Sequence, residues 1–591
     1  MMKKFILIAF ILLLGENHLS YGQVKVENEN SSMYNEIPQE KLFAHINSSF
    51  LLTGEHLLYK IYCLNAKTGK QSDISKIAYV ELINSNRDLI FKHKVRLDSG
   101  LGQGDFFIPT SVLSGNYKII AYTQWMRNGD EINFFMNDIS IINPFNENQN
   151  EIIYKNELND IIKNNKLSES KNKLINEISY NSSDLIKLKL EKSDFKNREK
   201  VIVKINTLNE EEPFGNYSIS VRKKGQIKNS NLLTSITYTS SFSKNEISNS
   251  KDPIYLPEVR GELLSGKVGY IDSKKLASNI KVALSIPGKD YIFKISNTNN
   301  QGVFYFNLDE EYEGSDAIIQ VITNEGKDLE IILDKQKSIN YGDIKFNKFR
   351  ISKEEHELIL KHSIYNQIEN AYLGVKKDVI DEIESDPPFY GSSFKEYLLD
   401  DYTRFPTIKE TIIEIVDFIY IKHKKGKNTL GVIGTKENYD SGLLPLVLLD
   451  GQLIQDHEKL LDFNAKKVKK INVVNEKYSY GSQLFEGVIS IETIEGNFEN
   501  SYSVSNLKMI KLFKPLQTKS YFKQVYDNTD KFARIPDYRN QLLWQPNFYL
   551  NKKEESITFF TSDNKGDYEI CLEGFTKEGM PVSLRETFSV K

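Results

Sequence analysis

The sequence predicts a mainly β protein, with several β-sandwich domains in series and one α+β domain that carries a helical insert. Three observations lead there. Apolar and polar residues alternate at period two in successive runs, as at Ile186, Leu188 and Leu190, at Val201, Val203 and Ile205, and at Tyr217, Ile219 and Val221; such alternation puts one strand face in a core and the other in water. At 591 residues the chain exceeds the roughly 250–300 at which a single core stops growing. Residues 445–496, PLVLLDGQLIQDHEKLLDFNAKKVKKINVVNEKYSYGSQLFEGVISIETIEG, depart from the alternation and read as strand, turn, short helix and two further strands.

Composition narrows the function classes. Hydrophobic residues make up 40% and charged residues 27%, and the net charge of −3 is spread over interspersed Lys and Glu. No basic face argues for nucleic acid. Residues 1–22 read as a signal peptide, with Lys3 and Lys4 ahead of the apolar run Phe5 to Leu14 and Ser20-Tyr21-Gly22 as a small-x-small cleavage site before Gln23. That run is too short for a spanning helix of about 20 residues, so no transmembrane span is expected. The cysteines, Cys63 and Cys571, stand far from the cleavage site and in strand-like runs. They are read as two buried free thiols, although a disulfide between them is compatible with an oxidising compartment.

Residues 23–145 form the first expected sandwich. Leu57 to Tyr62, Lys76 to Ile83 and Tyr117 to Met126 are rich in the aromatic and β-branched residues that suit a pleated surface. The blocks TGEHLLYKIYCLNA, SKIAYVELI, GQGDFFIP and SGNYKIIAYTQWMRN, in this order, resemble the macroglobulin-type, Ig-like domain of the α-macroglobulin family as found in large exported bacterial envelope proteins. Gly100, Gly102 and Gly104 sit before Phe106-Phe107-Ile108-Pro109, a strand-like run, so they read as turn glycines and not as a dinucleotide loop, which needs a following helix.

Residues 146–255 hold a polar linker, Asn150 to Ile178, and then the second sandwich; FKNREKVIVKI and GNYSISVRKKG resemble the next macroglobulin-type domain. Ser230 to Ser250 reads as an exposed Ser-rich loop. Residues 256–345, with LPEVRGELLSGKV, NIKVALSIPG and NNQGVFYFNL, resemble the carboxypeptidase regulatory-like domain, a sandwich that carries no catalytic chemistry itself.

Residues 346–530 combine the helical insert with the α+β domain. Ser352 with Glu355 fits a capping box ahead of Leu360, Ile364, Ile368 and Tyr372, and Thr407 with Glu410 caps a helix carrying Ile408, Ile412, Ile415 and Ile419. Both stripes read as packing faces. Asp450-Gly451 is a turn pair tolerant of positive φ. LVLLDG, Tyr480-Gly481-Ser482 and GVISIET in succession resemble the plug domain of TonB-dependent outer-membrane receptors, and YTRFPTIKETIIEIV resembles its lead-in, which makes insert and plug one expected unit. Residues 497–591 are too few for a receptor barrel of about 22 strands at roughly 10 residues each. The expectation is therefore a plug-like module without its barrel. Residues 531–591 read as one more small β-sandwich, with Ile557 and Phe559 before a turn at Asp563 to Gly566 and Tyr568, Ile570 and Leu572 after it.

No catalytic, cofactor-binding or metal site is assigned. His356 and His362, six residues apart, lie roughly 120° apart around a helix and share no metal-binding face. Asp563, Asn564 and Asp567 suit calcium, but a strand-connecting turn needs the same residue types. Neither cysteine lies in the Gly-Cys-Gly-Glu-Gln thioester context of protease-trapping α-macroglobulins. The expected function is that of a non-enzymatic exported cell-envelope protein in the periplasm, at the outer membrane or on the cell surface. It would act as a multi-domain scaffold or adaptor for a partner envelope protein such as an outer-membrane barrel. The alternative is an accessory module of an outer-membrane uptake system that captures glycan or peptide, a use to which the 32 Tyr and 33 Phe lend themselves.

Overall fold

The structure is a computed structural model that describes residues 25–26, 34–154, 185–241 and 254–591, except 35, 130–132, 148, 150–151, 209–212, 226–231, 289, 313, 323–327, 336–337, 347–348, 382–386, 425, 435–441, 497, 499–505 and 527–531. The signal segment and most of the linker at 150–178 lie outside the described residues. The fold is mainly β, as expected. Its chain divides into two compact units, one built from 26–259, 339–381 and 515–591, the other chiefly from 260–338 and 382–514.

In the first unit, one sandwich pairs Glu40–Ile46, His56–Asn65 and Leu101–Phe107 in one sheet and Phe50–Leu52, Phe135–Ile142, Gly115–Tyr122, Ile77–Asn84 and Leu89–Arg96 in the other. Its core includes Phe43, Tyr62, Val80, Ile119 and Tyr122, all fully buried. Of the three glycines read as turn residues, only Gly100 turns the chain, at φ 78°. Gly102 and Gly104 lie inside the strand Leu101–Phe107. A Cβ on Gly104 would sit 2.3 Å from the Tyr59 hydroxyl, so close packing, not a turn, requires that glycine. Within the expected Ser-rich loop, Ser235–Ser241 is helical, and Tyr238 enters the same core.

The second sandwich corrects the expected domain list. Residues 531–591 do not form a sandwich of their own. Gly215–Lys223 is hydrogen-bonded on one side to Gln541–Leu550 and on the other to Gly566–Thr576, and Lys200–Thr207 pairs with Glu554–Phe560. A single core takes in Val201, Ile219 and Val221 together with Leu550, Ile570 and Leu572. Two half-sandwiches distant in sequence thus complete one another, because each half alone leaves an unpaired row of backbone donors and acceptors.

The helix Lys353–Ala371 also belongs to this first unit and not with the α+β module. Ser352 and Glu355 form the expected capping box. The expected apolar stripe is not its packing face: Leu360 is 56% exposed and Ile364 49%, while Ile359, Ser363 and Asn366 are buried. Docking is largely polar. Asn366 Nδ2 donates to the Thr53 carbonyl at 2.9 Å, over Gly54, where a Cβ would meet the Asn370 amide at 2.5 Å. Glu55 accepts Arg222 Nη2 at 2.8 Å and the Leu52 N–H at 2.8 Å, and lies 3.1 Å from His362 Nε2. At the far end Glu369 accepts the Tyr538 N–H at 2.6 Å, and Tyr365 stacks on Tyr538 at 4.4 Å. The helix braces both sandwiches of its unit.

In the second unit, a third sandwich pairs Val303–Leu308, Glu262–Tyr270 and Leu329–Leu333 against Ile292–Asn297, Lys281–Ile286, Asp316–Ile322 and Leu507–Lys511. Its last strand comes from beyond the α+β module, so that module is an insertion into this sandwich. The module's sheet runs Lys395–Leu398, Val468–Val474, Val488–Thr493, Leu446–Leu449, Gln452–Leu453, and Leu446–Leu449 lies parallel to Val488–Thr493. Val447 and Leu449 face the helix Ile408–Ile415 and its core, whereas Leu446 and Leu448 pack with Ala283 and Phe293 of the third sandwich. Burial on both faces explains the unbroken apolar run. Ile419, expected on the Thr407-capped helix, instead begins the hairpin strand Ile419–Lys424. The helix ends at Ile415, where a β-branched run with low helix propensity turns extended at Val416.

Asp450 and Gly451 hold the module together. Asp450 is buried at φ 48°, and its carboxylate accepts the Thr493 N–H at 2.7 Å, the Thr493 hydroxyl at 2.6 Å and the Phe498 N–H at 3.0 Å. Gly451, at φ 80°, carries the Tyr291 ring where a Cβ would sit, 2.3 Å from its nearest carbon.

Gly451→Ala is expected to destabilise the second unit by about 3 kcal/mol through strained φ and overpacking. Both tryptophans, Trp125 and Trp544, lie in the first unit, so the loss should appear in a far-UV circular dichroism transition and leave the tryptophan-fluorescence transition in place. Glu55→Gln should do the reverse. Burial alone would raise the Glu55 carboxyl, but His362 and Arg222 outweigh it and hold it well below the usual range. A lowered folded pKa contributes stability above the unfolded value of about 4.3 and loses it as pH falls below that. Glu55→Gln should therefore cost about 3 kcal/mol at pH 7 by tryptophan fluorescence in urea, with the deficit shrinking below about pH 4; a deficit equal at pH 7 and pH 3 would refute the role of the ionised carboxylate.

Candidate functional site

A cleft of about 890 Å³ opens in the first unit where the helix Lys353–Ala371 meets the segment His45–Phe50 and the strand ends of the second sandwich. The helix contributes Lys361, His362 and Tyr365 to its wall. The strand Gly215–Lys223 ends in it with Arg222 and Lys223, followed by Lys224, and the turn after Glu554–Phe560 brings Asn564 and Lys565. Apolar lining comes from Ile46, Phe50, Leu232 and Leu358. Because the second sandwich closes only when its two halves pair, Lys223 and Lys565 meet solely through that closure.

The charges fall into two classes. Both arginines are committed to carboxylates: Arg222 to Glu55 at 2.8 Å, and Arg585 to Glu569 at 2.8 Å and Glu573 at 3.5 Å. Among the described residues, Lys223, Lys224, Lys361 and Lys565 form no ion pair with a carboxylate. Lys223 Nζ donates to the Lys565 carbonyl at 2.7 Å and to Asn564 Oδ1, both neutral acceptors. Its ammonium is pushed down to about 8, first by burial and then by the charge of Lys361, with Asp567 opposing. The cleft is electropositive and mixed with apolar surface.

The residues weighed as site candidates in the sequence fare differently. His362 lines the cleft and meets Glu55, while His356 is exposed on the same helix. Asp563 is paired with Arg198 at 2.6 Å and Asn564 receives Lys223, so both tie the turn to neighbouring strands, while Asp567 accepts the hydroxyl of its cross-strand partner Ser589 at 2.6 Å. Cys63 and Cys571 are buried and unpaired; Cys571 borders the cleft, and burial pushes its thiol up. Among the described residues no cluster of three metal-ligating side chains occurs.

One pair has the look of a catalytic dyad. His45 Nδ1 lies 2.6 Å from Ser218 Oγ. Burial, with the nearby Arg585 charge, lowers the His45 imidazole to about 3, and Ser218 is fully buried beneath Tyr62, whose hydroxyl donates to it at 3.0 Å. The pair packs the joint between sandwiches. The cleft itself escaped the sequence reading, since lysines at strand ends look like solvated surface. The one available signal was RKKG at Arg222 to Gly225, where the alternation gives way to consecutive cations.

No family model matches the chain, and no curated protein sequence does. Solved structures that align along most of it are bacterial α-2-macroglobulins. The Escherichia coli protein activated by porcine elastase is 8% identical, with 93% of this chain and 44% of that chain covered at a TM-score of 0.23. The native conformation of the E. coli protein is 9% identical over 97% and 40%, again at 0.23, and the Salmonella protein reacted with methylamine is 7% identical over 97% and 40% at 0.23. The chain spans less than half the length of these proteins.

Proposed function

We propose that this chain is a non-enzymatic, exported cell-envelope protein that works by holding a partner protein at or near the outer membrane. The observation that carries the reading is the electropositive cleft, which offers charge and apolar surface to a ligand. The sequence resemblances give the setting. Macroglobulin-type and carboxypeptidase regulatory-like sandwiches serve as spacers and binding modules, and a plug-like domain outside its own barrel is free to dock on a partner. No helix among the described residues is long and apolar enough to cross a membrane.

A second reading, capture of a peptide or glycan for an uptake system, is favoured by the cleft's dimensions. Its 890 Å³ falls within the range of about 300–1,000 Å³ typical of ligand pockets.

Crosslinking of intact cells that express the tagged chain, followed by identification of what is attached in the outer-membrane fraction, tests the adaptor reading. Recovery of one defined barrel protein is the expected result. A soluble chain attached to nothing would overturn it in favour of ligand capture.

A further inference from the structure

We propose that the cleft of the first unit is a binding site for an acidic peptide segment, one in which carboxylates alternate with apolar side chains. The inference deepens the reading of this chain as a binding protein and rests on it. It begins from the division of charge. Arg222 and Arg585 are held by Glu55, Glu569 and Glu573, and so contribute architecture. Four lysines remain: Lys223 and Lys224 at one strand end, Lys361 on the helix, and Lys565 in the facing turn. Against them stands Asp567 as the carboxylate of the lining not engaged by an arginine, and it accepts the Ser589 hydroxyl. An uncompensated group of ammoniums around a concave, partly apolar surface attracts an anion and gains from its desolvation.

The lining chooses among anions. Phosphate and sulfate groups suit the planar fork of arginine, and both arginines are already spent on carboxylates. An oligosaccharide decorated with anions would leave the apolar wall of Phe50, Leu232 and Leu358 against hydroxyls. A peptide with acidic and apolar side chains satisfies both, with carboxylates to the lysines and apolar groups to that wall. Lys223 adds a pH signature. Lys361 on the helix, Lys224 beside it, Lys565 in the turn and Asp567 at the start of the strand Gly566–Thr576 are the charged groups around it, and its ammonium titrates near 8. A bound carboxylate favours the protonated lysine, so affinity falls as pH rises through about 8.

The test uses the purified chain and a fluorescein-labelled peptide of repeating Glu-Leu, measured by fluorescence anisotropy beside its Gln-Leu counterpart, a sulfated heparin oligosaccharide and inorganic tripolyphosphate. The Glu-Leu peptide is expected to bind at least about tenfold more tightly than Gln-Leu, and to weaken as salt is raised and as pH passes 8. Lys223→Gln with Lys361→Gln should weaken it by about tenfold or more. Since Lys223 also hydrogen-bonds within the turn, Lys361→Gln alone serves as the variant that leaves the fold untouched, with a loss of a few fold expected. Equal affinity for the Glu and Gln peptides, indifference to Lys361→Gln, or tighter binding of the oligosaccharide or tripolyphosphate would each overturn the proposal. The two readings fail separately: a crosslinked partner without peptide binding sinks the cleft assignment, and peptide binding without a crosslinked partner sinks the adaptor reading.

Discussion

The first unit depends on one strand, Gly215–Lys223, and on the backbone ladder that the last fifty or so residues of the sequence complete around it. Its donors and acceptors are met on both sides by Gln541–Leu550 and Gly566–Thr576. Until those strands arrive, Tyr217, Ile219 and Val221 have half a core and the sheet has two open edges. The residues of the second unit lie between the two halves in sequence, and within that unit the α+β module interrupts the third sandwich in the same way, before Leu507–Lys511 returns to Asp316–Ile322. Insertion within insertion gives pairings of very large sequence separation, and these are costly in loop-closure entropy and slow to form.

The brace helix shows what polar docking adds. Lys353–Ala371 meets its neighbours through Asn366, His362 and Glu369, with a small apolar cluster of Ile359, Ile351, Leu52 and Ile142 near its start. An apolar face tolerates sliding along the helix axis, whereas a buried amide opposite a carbonyl, or a carboxylate between an arginine and a histidine, has one satisfied register and a steep cost elsewhere. Helix position fixes the cleft wall, because Lys361 and Tyr365 flank His362 on the same turns.

Much of the local structure was legible in the residues themselves. Period-two runs located the strands, Asp450-Gly451 marked a real positive-φ turn, and Ser352 with Glu355 and Thr407 with Glu410 marked true helix starts. What the pattern withheld was partnership. Alternation says which side chains face a core, not whose core, so the C-terminal strands read as a separate sandwich although three of them, Gln541–Leu550, Glu554–Phe560 and Gly566–Thr576, pair with residues 200–223. Hydrophobic spacing likewise chose Leu360 and Ile364 for the helix face, because it has no means of scoring an asparagine that docks on a glycine. The cleft was illegible for both reasons at once, since its wall is assembled from segments whose pairing is non-local and whose side chains are polar.

The split between arginine and lysine in the cleft then has a physical logic. A guanidinium presents a planar fork that holds a carboxylate in fixed geometry, and Arg222 and Arg585 use it on Glu55 and on Glu569 and Glu573, groups from the elements that form the wall. An ammonium on a four-carbon stem reorients at little cost and tolerates ligands of varied register. Fixed pairs therefore set the shape of the cleft, and lysines that no carboxylate holds set its charge. Removing a guanidinium strands a buried carboxylate and disturbs the wall, whereas neutralising Lys361, an exposed residue, leaves the wall standing and alters only the field that a ligand meets. Architecture and recognition are thus carried by different residues of the same site, and that separation is what allows the binding role of the cleft to be read independently of the fold.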